Sequence, residues 1–142
     1  AKATVVDITE RAASVKRKVD VLTLCTVVCR PTQQEADDYQ HWYADEQADW
    51  GAVDNLMTLQ GMHAQSFTPE ALALYRDRMA AGHGGFPLVG TPDTIADLLE
   101  KLSDTGIAGT TLAFVDYAKE FPYFREEVLP RLEAKGLRQP VS

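Results

Sequence analysis

Phe86–Val115 reads FPLVGTPDTIADLLEKLSDTGIAGTTLAFV, and this stretch decides the fold. Phe86–Val89 is a short apolar run that Gly90-Thr91-Pro92-Asp93 turns directly into a helix, with Thr91 as N-cap and Pro92 at the first helical position. Ile95, Leu98, Leu99 and Leu102 recur on one helical face. Asp104-Thr105-Gly106 ends that helix, and Gly109–Val115 reads as a second buried strand. Strand, capped helix and strand in succession predict parallel strands joined by a right-handed crossover.

Upstream, Val19–Arg30 (VDVLTLCTVVCR) is rich in β-branched residues and almost continuously apolar, the pattern of a strand covered on both faces. Thr32 with Glu35 forms a capping box that opens a helix carrying Tyr39, Trp42 and Tyr43 to about Trp50. A further helical stretch covers Ala52–His63. Thr68-Pro69-Glu70 starts another, which runs to Ala81 and is stopped by Gly82-His83-Gly84-Gly85. At the start of the chain, Val5, Ile8, Ala12 and Val15 predict a helix that ends near the basic cluster Lys16, Arg17 and Lys18. At the other end, Tyr123–Ala134 predicts an amphipathic helix ending at Gly136, with Arg138–Ser142 as a frayed tail. The expected order is helix, strand, three helices, short strand, helix, strand, helix, in a single α/β unit over residues 1–142. An eight-stranded β/α barrel typically takes about 250 residues, so three strands make either a small open sheet or part of something larger. The missing initiator Met favours the second expectation.

A chain of 142 residues, 45% hydrophobic and 25% charged, has the composition of one globular domain with a modest core. Its net charge of -7 disfavours nucleic acid and anionic membrane surfaces as partners. No run approaches the roughly 18 apolar residues of a membrane span, and the N-terminus has no signal-peptide pattern, so a cytoplasmic location is expected. Cys25 and Cys29 lie about 13 Å apart along one strand, beyond disulfide reach, which makes them buried free thiols. Half of a metal site would need further ligands at recognisable spacing, which His41, His63 and His83 do not supply; no metal is expected. The acids Asp37, Asp38, Asp45, Glu46 and Asp49 around His41 read as a solvated helix face. Trp42, Tyr43 and Trp50 on its other side read as packing or subunit contacts.

The segments PLVGTP (87–92), DTGI (104–107), TTLAFV (110–115) and VLPRLEAKGLR (128–138), in this order and spacing, resemble the C-terminal end of the bacterial luciferase-like, reduced-flavin-dependent monooxygenases. The likeness is greatest to the branch that includes alkanesulfonate, dimethylsulfone and pyrimidine monooxygenases, and Val19–Ala36 looks like an earlier β/α unit of the same family. The resemblance implies an α/β fold, the C-terminal part of a (β/α)8 TIM-type barrel, incomplete in this chain. It implies reduced FMN delivered by a separate flavin reductase and oxygenation of a small organic substrate with O2. Most flavin and catalytic contacts of that family lie on earlier strands, so the chain is expected to be inactive alone, and to work as a homo-oligomer or with a complementing chain. The alternative is a non-catalytic, truncated α/β module that self-associates or binds a protein partner.

Barrels place chemistry at the C-terminal ends of their strands, and phosphates often rest near the last two loops. Tyr117, after the strand Gly109–Val115, matches a family position that faces the flavin or substrate, and is the first catalytic candidate; the alternative is a tyrosine packed under the last helix with its hydroxyl in water. His83, the proton-transfer candidate of its segment, sits with Gly84 and Gly85 in what the resemblance makes a mobile active-site loop, although the same glycines also serve as a helix terminator. Gly90 and Thr91 lead into a helix N-terminus that suits a cofactor phosphate, against the simpler reading of a plain cap beside the repelling charge of Asp93. Thr26 stands where several relatives carry a histidine, which puts any histidine-dependent step in doubt.

Overall fold

The near-continuous apolar run at the start of the chain becomes β1 (Leu22–Cys29), and both of the other strands pair with it. The computed structural model describes residues 2–62 and 67–140. Ahead of β1 lies α1 (Lys2–Ser14). After it come α2 (Gln33–His41), which runs into a π turn at Trp42–Glu46, then α3 (Trp50–Leu59) and α4 (Pro69–Gly82). The chain then alternates through β2 (Phe86–Gly90), α5 (Pro92–Ser103), β3 (Gly109–Ala113) and α6 (Tyr117–Ala134).

The strands are parallel in the order β2-β1-β3. A sequentially wound barrel would set β2 beside β3; here β1 stands between them. The register shows how it serves both. β2 takes the C-terminal half of β1, Cys25 against Phe86 through Cys29 against Gly90, while β3 takes the N-terminal half, Leu22 against Gly109 through Thr26 against Ala113. The α2–α4 segment therefore links the neighbours β1 and β2, and α5 carries the chain from β2 past β1 to β3 on its other side.

Alternation along the strands divides the side chains between two faces. On one face Cys25, Val27 and Cys29 pack with Leu88, Ile95, Phe124, Val128 and Leu132 in the principal core beneath α5 and α6. The opposite face carries Leu24, Thr26 and Val28, and the end of α4 lies across it at Thr26. Towards β3 that face opens: Leu22 is 63% exposed and Val115 51%. A second, smaller cluster of Val53, Met57 and Met79 joins α3 to α4.

The capping signals are realised at the atomic level. Thr32 Oγ1 accepts from the Glu35 N–H while Glu35 accepts from the Thr32 N–H, closing the capping box. Thr68 and Thr91 cap α4 and α5 with proline directly behind them. Cys25 and Cys29 are buried and free.

Several boundaries differ from the sequence reading: β1 is shorter than Val19–Arg30, and β3 ends at Ala113 instead of Val115. α6 starts at Tyr117, six residues before Tyr123, because Asp116 is the cap: its Oδ1 accepts from the N–H groups of Ala118 and Lys119. Pro122 and Pro130 lie inside this helix at exposed positions, where the carbonyls left without donors face water. The helix expected from Thr32 to about Trp50 is broken by the π turn, after which Asp49 caps α3 through the Ala52 N–H. α3 ends at Leu59 with Gln60 as C-cap, so the expected extension fails over 60–62, where Gly61 turns to φ +72°, and His63 lies outside the described residues. The tail holds on through Arg138, which pairs with Glu133 at 2.6 Å. In α1 only Val5 of the apolar stripe is buried, against Gly106; Ile8 and Val15 are exposed.

Gly82 shows what the crossing over β1 demands. Its φ is +149°, and a Cβ there would lie 2.2 Å from Thr26 Cγ2, a buried methyl on a stiff β-branched side chain. Gly82→Ala should cost about 2–3 kcal/mol of stability, whereas Gly136→Ala, with φ +72° and nothing within 4 Å of the new methyl, should cost about 1 kcal/mol. Urea unfolding of the two variants checks this; equal midpoints would mean that Thr26 yields freely.

Candidate functional site

The loops at the C-terminal ends of β1 and β3 meet around one buried ion pair. Arg30, the residue after β1, donates from Nη2 to Glu120 Oε1 at 2.6 Å and from Nη1 to its own neighbour's carbonyl, Cys29 O, at 2.9 Å. Its backbone N–H reaches Gly90 O at 3.0 Å, which fastens the end of β2 as well. Glu120, only 8% exposed, turns its other oxygen to the N–H groups of Val115 and Asp116 at 3.1 and 3.2 Å. Tyr39 covers the pair from α2, its ring centroid 4.0 Å from Arg30 Cζ, a cation–π contact. Tyr39 also packs against Trp42 and Tyr43.

Beside this pair opens a cleft of about 820 Å³ whose walls include Tyr39, Trp42, Val115, Tyr117, Lys119 and Tyr123. A smaller cavity of about 220 Å³, bordered by Thr26, Tyr43, Gly82 and Phe114, lies over the sheet and shares Val115 with it. Burial, reinforced by the Glu120 carboxylate, raises the Tyr39 phenol above its usual range. Burial pushes Tyr43 up to about 12, with the negative charge of Glu120 adding to it. Burial also raises Tyr123. At neutral pH these three phenols are O–H donors, not bases. Asp116 is held low by its hydrogen bond to the Lys119 ammonium and stays anionic.

Of the residues singled out from the sequence, Tyr117 lines the cleft. It is 56% exposed, its ring meets Phe114 edge-on at 5.3 Å, and its hydroxyl donates to Leu112 O at 3.0 Å, so the hydroxyl is engaged by the strand. His83 is the exposed, left-handed C-cap of α4 (φ 55, ψ 34), and with Gly84 and Gly85 it lies over the other face of the sheet. The close backbone approach that glycine permits occurs there: a Cβ on Gly85 would sit 3.0 Å from Thr26 Cγ2. Gly90 and Thr91 adjoin the ion pair without lining the cleft; Thr91 Oγ1 accepts from the Thr94 N–H and contacts its hydroxyl. His83, Gly84 and Gly85 do not line the cleft that holds Tyr117. His41 forms exposed pairs with Asp45 and Glu46, and no cluster of metal-ligating side chains occurs among the described residues.

Arg30, Glu120 and Tyr39 escaped the sequence reading. The available signal was small: an arginine closing an apolar strand and a glutamate four residues after a helix cap.

No family model matches the chain. Over 145 residues, 95% of this chain, it is 32% identical to an FMNH2-dependent dimethylsulfone monooxygenase of Pseudomonas fluorescens (strain Pf0-1) and covers 39% of that protein. In structure it is similar to DmoA from Hyphomicrobium sulfonivorans, with a TM-score of 0.78 at 20% identity, over 97% of this chain and 35% of that one. The riboflavin lyase RcaE, solved with modified FMN and riboflavin, gives 0.76 at 21% identity over 97% of this chain and 37% of RcaE. The long-chain alkane monooxygenase LadA gives 0.72 at 23% identity over 99% of this chain and 35% of LadA. In sequence and in fold the chain is similar to a portion of the luciferase-like monooxygenases. It spans about two fifths of the curated relative's length, and the likeness to the solved luciferase-like barrels is one of fold, matching an α/β portion of an incomplete barrel.

Removing Glu120 strands a largely buried guanidinium and two backbone N–H groups. Glu120→Ala should therefore lower stability by about 3–5 kcal/mol, against less than about 0.5 kcal/mol for Glu126→Ala, whose pair with Arg125 is exposed. Urea denaturation separates these, and equal effects would remove the buried pair as the organising contact. The raised phenols set an alkaline limit. Below the ordinary tyrosine pKa of about 10 both folded and unfolded phenols are protonated. As pH rises from there towards the folded value of about 12 for Tyr43, the unfolded chain ionises first and stability falls. Chemical denaturation at pH 9, 10 and 11 should show this decline, shallower in Tyr43→Phe.

Proposed function

We propose that the chain forms part of a reduced-FMN-dependent monooxygenase that oxygenates a small organic substrate with O2, and that it supplies one wall of the active site. The observation that carries this reading is the aromatic cleft at the C-terminal ends of β1 and β3, where β/α barrels hold their chemistry. It occurs in a chain 32% identical to a protein named for FMNH2 and dimethylsulfone.

The residues present fit such a group. The cleft's volume of about 820 Å³ is that of a small-molecule site, and Trp42, Tyr117 and Tyr123 offer ring faces and edges to a planar ring system. FMN bound there would supply the redox chemistry with oxygen. The chain's own residues bind and orient: Tyr117 and Trp42 form the walls, and Tyr39 keeps water from Arg30 and Glu120. The ion pair fixes the β3–α6 turn that carries Tyr117. His83, Gly84 and Gly85 act in this reading as a loop over the sheet face, and Gly90 and Thr91 stand behind the ion pair, where Gly90 O holds the Arg30 N–H. The remaining strands come from a complementing chain or further protein, a separate reductase provides reduced flavin, and the setting is the cytoplasm.

The exposed Leu22 and Val115 on the open face favour a second reading, a non-catalytic α/β module that buries them by self-association. Titrating the chain into FMN and following flavin fluorescence tests the first. The expected result is saturable quenching, weakened about fivefold or more in Trp42→Ala, since one stacked ring contributes at least about 1 kcal/mol. No quenching, together with a stable dimer or larger species by light scattering, would favour the module.

A further inference from the structure

The charged groups of the cleft cancel among themselves. Its two lining cations among the described residues are Arg30, paired with Glu120 at 2.6 Å, and Lys119, paired with Asp116 at 3.0 Å. The helix ends that ordinarily greet an anion are also largely taken up by caps and carboxylates. At the start of α6, Asp116 takes the N–H groups of Ala118 and Lys119, and Glu120 takes those of Val115 and Asp116. At the start of α5, Thr91 takes the Thr94 N–H, Pro92 has none to give, and Asp93 contributes a carboxylate tied to Arg131 at 2.6 Å. A phosphate or sulfonate entering here would displace an existing carboxylate or lie beside one, and the chain's net charge of -7 adds a repelling field. What the cleft leaves free is aromatic: the ring of Trp42, 49% exposed, and that of Tyr117.

From this charge closure we infer that the cleft is selective for an uncharged planar ring and excludes anions: this chain holds the ring system of a flavin, and the phosphate is gripped by residues outside it. The inference rests on the proposed flavin function and deepens it. It also sets the polarity of the substrate that reaches the ring across this wall, a neutral organic molecule in preference to a sulfonate or carboxylate. The discrimination is electrostatic, so ionic strength leaves binding of the neutral ring unchanged, since there is no net charge on the ligand to screen.

Parallel titrations of riboflavin and FMN with the full chain, read by quenching and anisotropy of flavin fluorescence, test the inference. Riboflavin should bind within about threefold of FMN, inorganic phosphate and methanesulfonate at tens of millimolar should displace neither, and added salt should leave the riboflavin affinity unchanged. Asp116→Asn keeps a capping oxygen but releases Lys119 from its carboxylate, and should shift the preference towards FMN several-fold. FMN binding tenfold or more tighter than riboflavin, or competition by phosphate, would overturn the inference while leaving a flavin site intact. Failure of both flavins to bind would overturn it together with the proposed function.

Discussion

The architecture depends on a carboxylate and a guanidinium that meet out of water where three strands end. Burying such a pair is worthwhile only when the remaining hydrogen-bonding capacity is met, because the loss of hydration otherwise exceeds the mutual attraction. Here it is met. Glu120 accepts from Arg30 on one oxygen and from two backbone N–H groups on the other, and Arg30 also serves the Cys29 carbonyl and lies against the face of Tyr39. The apolar core beneath the sheet supplies most of the driving force for folding but is indifferent to direction. The ion pair is directional, and it brings the ends of β1, β2 and β3 to a common level, so the cleft's rings stand on a shared base.

The hydrophobic pattern carried most of the fold. Strands rich in β-branched residues and Thr-Pro caps are signals local in sequence, and all three strands and the caps of α2, α4 and α5 lie where those signals put them. What the pattern did not carry was non-local or masked by a stronger cue. The order β2-β1-β3 depends on which half of β1 each partner engages, a matter of register that no periodicity expresses. The first turns of α6 were hidden by Pro122, which in sequence argues against a helix and in the structure sits harmlessly on the water side. Tyr117 was singled out because the position after a strand is a rule of the fold, and it lines the cleft; Arg30 and Glu120 were missed because an ion pair spanning ninety positions leaves little mark on either neighbourhood.

The two faces of the sheet are unequal, and the inequality suits a portion of a larger barrel. Beneath α5 and α6 the packing is closed, with Phe124, Val128, Leu88 and Ile95 fully buried. Over the other face, α4 covers the β1–β2 side through Gly82 and Gly85, whereas Leu22 and Val115 remain in water. In a barrel that face looks inward, towards side chains contributed by strands across the axis. The cleft and the cavity over Thr26 share Val115 and so lie on either side of the border between strand ends and interior.

The central position of β1 also governs how the molecule assembles. Its partners are distant in sequence, Cys25 pairing with Phe86 and Leu22 with Gly109, and neither pairing has a hairpin through which to form locally. Each strand must wait for a long chain segment to close, and the entropy of that closure precedes any reward from the ladder. The strand appears early in the chain, yet its ladder is complete only when segments some sixty and eighty-five residues later have arrived. Helices α3 and α4 have a small cluster of their own between neighbouring segments, whereas the cleft and its ion pair rest on contacts that span most of the chain.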